Sequence, residues 1–79
     1  MLLCADQRRV LAMLATAGQD GVAQALLSAH GFDATMIAGL VNRGLATLMM
    51  EKVRADGKLI AIAMVRITEA GRRVLAAAG

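Results

Sequence analysis

Val65-Arg66-Ile67-Thr68-Glu69-Ala70-Gly71-Arg72-Arg73-Val74-Leu75 reads as a strand running straight into a capped helix. Thr68 stands where a helix N-cap belongs, its hydroxyl free to accept a backbone N–H of the first turn. Glu69 follows, where the positive end of the helix dipole favours an acid. Val74 and Leu75 give the helix an apolar side. Inside a helix a glycine costs about 1 kcal/mol relative to alanine, so Gly71 predicts a close approach to neighbouring backbone.

Just upstream, Asp56-Gly57 separates two apolar runs, the strongest short-range signal for a tight β-hairpin. Its arms are about 45–55 and 58–67. If the turn holds two residues, Ala55 faces Lys58 and the ladder follows. Leu48 then faces Val65 and Met50 faces Ala63, on the side continuous with Ile67, which is expected to cover the helices. The outer side carries Met49 across from Met64, Glu51 across from Ile62 and Val53 across from Ile60. A monomer's outer side should be polar, and this one is apolar. Met49, Val53, Ile60, Ile62 and Met64 are therefore candidates for self-association. A slip of one residue would exchange the two faces.

Three helical patterns precede the hairpin. The first, about 6–17, has Asp6 as its cap, Arg8 and Arg9 on its wet side, an apolar stripe of Val10, Leu11, Leu14 and Ala17, and Gly18 as terminator. Gln19-Asp20-Gly21 reads as a turn. The second, about 22–30, directs Ala23, Leu26 and Leu27 inward and stops at His30-Gly31. The third, about 33–43, has Asp33 as cap and Ile37, Leu40 and Val41 as its stripe, with Met36 beside it and Gly44 closing it. The last helix spans about 69–77. Two short helices joined through a glycine match the helix-turn-helix signature. Helices, hairpin and closing helix together give an α+β fold, a single winged helix-turn-helix domain over 1–79.

The chain's 79 residues, 58% of them apolar with Phe32 as the one aromatic, leave a marginal core, since a chain this short buries only about 60% of the surface it exposes unfolded. Small aliphatic side chains must do the packing, and the apolar surplus points to a homodimer. Runs such as Leu59–Val65 fall far short of the roughly 20 residues that span a bilayer, and Met1-Leu-Leu-Cys4 lacks a basic start and apolar core. No membrane association and a cytoplasmic location are expected. Cys4 stands alone, which excludes a disulfide framework. The net charge of +3 is dispersed and compatible with nucleic acid.

Leu40-Val41-Asn42-Arg43-Gly44-Leu45-Ala46, then the hairpin, then Ile67-Thr68-Glu69-Ala70-Gly71-Arg72, resembles the winged-helix core of MarR-type bacterial regulators. In that family a "leu-val-x-x-gly-leu" segment ends the recognition helix, and the second wing strand leads into "leu-thr-x-ala-gly". The resemblance covers roughly residues 6–76. It implies a winged-helix fold and leaves binding of double-stranded DNA open; the family's wing usually carries an acid and, two residues on, a base that enters the minor groove, a spacing that Asp56 and Lys58 match. Two features depart from the family: its extra dimer-forming terminal helices have no counterpart in these residues, and the strand from Lys58 to Ile67 is longer than usual.

A recognition helix needs side chains that reach base edges. The third helix offers Thr35, Asn42 and Arg43 beside Ala34, Ala38 and Gly39, whereas base contacts usually come from a helix's N-terminal part, and Asp33 would repel phosphate. The alternative is a structural helix with a small-residue surface. Lys52, Arg54 and Lys58 cluster towards the hairpin tip and suit phosphate contact; the competing reading is a solvated tip that guards the strand edges. Arg8, Arg9, Arg72 and Arg73 read as solvated helix faces. His30 has no partners at metal spacing, so neither metal nor cofactor is expected. The six Met residues read as core and interface filler. No nucleophile–base arrangement or phosphate loop is present, so no enzyme is expected. Two functions remain: a small DNA-binding, transcription-regulator-like protein acting as a dimer, or a protein-interaction module with the same fold that never touches DNA.

Overall fold

Asp56 and Gly57 have φ angles of 51° and 75°, the left-handed values that both central residues of a type I′ hairpin turn require. Around that turn, a computed structural model describes residues 4–78. The elements are α1 (Ala5–Ala17), a 3₁₀ turn (Gly18–Asp20), β1 (Val22–Ala23), α2 (Gln24–Ala29), α3 (Ala34–Asn42), β2 (Ala46–Ala55), β3 (Lys58–Ile67) and α4 (Glu69–Ala78). The fold is α+β, helices packed against one antiparallel sheet of order β1-β3-β2. No helix among the described residues is long and apolar enough to cross a membrane.

The hairpin pairs Ala55 with Lys58, Val53 with Ile60, Met49 with Met64 and Leu48 with Val65, as the two-residue turn dictates. The sheet nevertheless has three strands where the turn signals predict two. Val22 and Ala23, expected to open the second helix, lie beside Val65 and Met64 instead. Gly21 explains this. Its φ is 76°, and a Cβ there would strike the Val65 carbonyl and the Arg66 stem. Backbone therefore lies against backbone, and Val22 buries its branched side chain in the core. What remains of α2 is six residues long, so only Leu27 is buried and Leu26, expected inward, is exposed.

The core is Val10, Leu11 and Leu14 of α1, Val22, Leu27, Phe32, Ile37, Leu40, Leu45, Ala46 and Val65, flanked by Met36, Val41, Ile67, Val74 and Leu75. Burying each large aliphatic side chain fully is worth about 1.5–3 kcal/mol relative to leaving it in water. The caps are local. Asp33 Oδ1 accepts the Met36 N–H at 2.8 Å. The cap of α1 is Cys4, not Asp6: Cys4 Sγ accepts the Gln7 N–H at 3.4 Å while Gln7 Oε1 accepts the Cys4 N–H at 3.1 Å, a capping box. Asp6 sits within the first turn and lies 3.6 Å from Arg9.

One joint ties the end of α3 to the start of α4. Thr68 Oγ1 accepts the Gly71 N–H at 3.0 Å and donates to the Gly44 carbonyl at 2.6 Å. The Thr68 N–H donates to the Leu45 carbonyl at 3.0 Å. A Cβ on Gly71 would overlap that same Leu45 oxygen and crowd Ile67. The glycine is there because α4 crosses directly over another segment's backbone.

The helices cover only the base of the hairpin. Its ten-residue arms run about 33 Å, whereas nine-residue α3 runs about 13 Å. The molecule is accordingly elongated, 44 × 22 × 20 Å. Ala46 and Val65 are buried beneath the helices, but Leu48 and Met50, expected to be covered on the same sheet face, are exposed. Leu48 only edges the cleft beside α3, and Met50 lies farther along the hairpin.

Candidate functional site

Strand alternation sorts the hairpin's charges before any tertiary contact is considered. Lys52 and Arg54 share a face with Leu48, Met50, Leu59 and Val65; Thr47, Met49, Glu51, Val53, Lys58, Ile60, Ile62, Met64 and Arg66 share the other. The first face carries two cations and no carboxylate along either arm. α3 lies against this face. Ala34, Ile37, Ala38, Val41 and Asn42 form, with Gln24 of α2 and Leu48 of β2, an apolar cleft of about 280 Å³. Thr35 and Asn42 are seven residues, or two turns, apart and so stand in one row with Ala38 between their flanks; all three are exposed. The structure thus brings Thr35, Asn42, Lys52 and Arg54 to one side of the molecule.

The other two candidate DNA contacts fall elsewhere. Lys58 points from the opposite sheet face. Arg43 is the C-cap of α3, about 100° around the helix from Asn42. The Asp33 carboxylate at the entrance of α3 is engaged in capping, which ties it to its own helix.

On the outer face, Met49, Val53 and Ile60 are exposed, whereas Ile62 and Met64 are half-buried. Two polar groups lie across this apolar stripe. Arg66 Nη2 donates to Glu51 Oε1 at 2.6 Å, and Nη1 lies 3.6 Å from the Met49 sulfur. The pair is about one-third exposed on each side, so its net worth is below about 1 kcal/mol, but it makes the outer face electrically neutral apart from Lys58 near the tip. Arg66 opposes Thr47 and Glu51 opposes Ile62, two pairs apart on one face. The register contains that relation, but only the length of an arginine realises it.

Sequence reasoning missed Leu48, Met50 and Leu59, which add a second exposed apolar stretch on the cation-bearing face. Among the described residues, six large apolar side chains of the hairpin (Leu48, Met49, Met50, Val53, Leu59 and Ile60) are 41–63% exposed. Their alternation was readable from the sequence. That no helix covers them was not.

Comparison with protein-family models, curated proteins and solved structures gives no match to this chain.

Proposed function

We propose that this chain is a small winged helix-turn-helix protein, MarR-like in its core, that binds double-stranded DNA and acts as a dimer in a bacterial-type cytoplasm. The observation that carries the reading is the sorting of charge. Lys52 and Arg54 lie on the sheet face against which α3 packs, and the only acid in the hairpin's arms, Glu51, points from the other face and is paired to Arg66. A cationic hairpin projecting beside an exposed helix row suits a duplex: the helix row (Thr35, Asn42) lies towards the major groove and the hairpin cations meet phosphate. The self-associating surface is the outer face, with Met49, Val53 and Ile60 as its exposed anchors and Ile62 and Met64 beneath them.

Fluorescence anisotropy on a mixed-sequence duplex over a salt series tests this. Affinity should fall linearly on a log–log plot, with a slope of about −0.9 per phosphate contact. The double variant Lys52→Glu, Arg54→Glu should abolish binding, and Lys58→Glu should weaken it only slightly. No binding at low salt refutes the reading.

A second reading has its own support. α3 shows Ala34, Ala38 and Gly39 outward where a base reader shows donors, and the hairpin is apolar on both faces. In that reading the domain docks a protein and never touches DNA. Docking would survive the double charge reversal and fail on Ile62→Glu.

A further inference from the structure

Val53 lies between Lys52 and Arg54 in the chain, and a strand sends successive side chains to opposite faces. Its cross-strand partner Ile60 shares its face. At this level of the hairpin, the apolar pair and the two cations therefore point in opposite directions. Whatever covers Val53 and Ile60 leaves Lys52 and Arg54 directed away from it.

A second copy of the chain fits the outer face on charge. Stacking two cation-bearing faces would oppose Lys52 and Arg54 of one copy to those of the other, whereas the outer face neutralises its inner charges through Glu51 and Arg66. Edge-to-edge pairing through β2 is disfavoured by Glu51, Lys52 and Arg54 along that strand, the kind of charge that blunts open edges. The accessible surface is 5102 Å², against about 4500 Å² for a compact monomer of 8.2 kDa. The surplus is the extra surface of an elongated molecule whose hairpin projects with both faces uncovered.

From this juxtaposition we infer that the dimer bridges two DNA duplexes. The inference rests on the DNA-binding reading above and adds the geometry of the complex. Two sheets stacked through their outer faces lie about 10 Å apart, so the two cation-bearing faces look outward on opposite sides. They cannot both lie along one side of a single duplex, as the half-site readers of a palindrome do. Each copy holds its own duplex, and dimerisation links them.

The test uses one duplex fixed to beads and a second, fluorescent duplex in solution, with sedimentation equilibrium run in parallel. The wild-type chain should be a dimer and should capture the free duplex. Capture should rise and then fall with protein concentration as every site on both duplexes fills separately. Ile60→Glu should yield a monomer, cut capture at least tenfold, and change affinity for a single duplex less than threefold, because each copy's contacts are its own. Val53→Glu is the second variant, and circular dichroism checks that both retain the fold. Salt-sensitive binding of one duplex without capture of another overturns bridging and leaves DNA binding standing. So does a wild-type dimer whose single-duplex affinity collapses on Ile60→Glu, since that is a dimer sharing one duplex. Absence of binding to either duplex at low salt overturns the DNA reading itself.

Discussion

Two helical glycines should respond to alanine with opposite signs. Gly39 lies in α3 and Gly71 in α4, and both have ordinary helical backbone. A methyl group on Gly39 meets nothing within 4 Å, so Gly39→Ala collects the intrinsic helix preference, about 0.5–1 kcal/mol of added stability. The same preference acts at Gly71, but there the methyl overlaps the Leu45 carbonyl oxygen and crowds Ile67. That carbonyl cannot simply move away, because it accepts the Thr68 N–H at 3.0 Å and belongs to the residue that buries Leu45 in the core. Relieving the overlap shifts α4 from the sheet, a cost of about 2–4 kcal/mol if overpacking of 1–3 kcal/mol is joined by strain in the Thr68 hydrogen bonds. The net for Gly71→Ala is a loss of about 1–3 kcal/mol. For a domain of this size 1 kcal/mol moves the melting temperature by about 4–8 °C, so the two variants should melt on opposite sides of the wild type. Urea denaturation followed by circular dichroism at one fixed protein concentration measures both. A Gly71→Ala variant as stable as the wild type, or more so, would refute the close approach of α4 to the α3–β2 joint.

The other expectations concern single side chains. Thr68→Val keeps the shape and removes the hydroxyl that links Gly71 to Gly44; it should cost about 1–2 kcal/mol, and Thr68→Ser should restore most of that in the same melt. Cys4→Ser exchanges a weak sulfur acceptor for a preferred N-cap oxygen opposite Gln7 and should gain about 0.5 kcal/mol; a loss of stability would show that the capping box does not form. Asp33→Ala removes the acceptor for the Met36 N–H and should cost about 1 kcal/mol by urea titration. In the anisotropy series, Arg54→Gln alone should reduce the magnitude of the log–log salt slope by about one phosphate equivalent, while Lys58→Gln should leave it nearly unchanged.

Short-range geometry carried most of what could be read from the chain alone. An Asp-Gly turn admits two left-handed residues and so fixes Ala55 opposite Lys58; alternation then assigns every later pair, including which face Lys52, Val53 and Arg54 present. The Asp33 and Thr68 caps are local in the same sense, since each depends on a few consecutive residues; Gly71 announces a close approach, but its partner, the Leu45 carbonyl, is set by tertiary packing. Tertiary packing decided the rest. Val22 and Ala23 have no strand signal of their own and become β1 because Gly21 lets the chain lie on β3. Leu48 and Met50 alternate like core residues and stay largely exposed because the helices cover only the base of the hairpin. Arg66 meets Glu51 across two ladder pairs, a contact that depends on side-chain reach. Periodicity says which residues share a face; only the lengths and placement of neighbouring elements say how much of that face is covered.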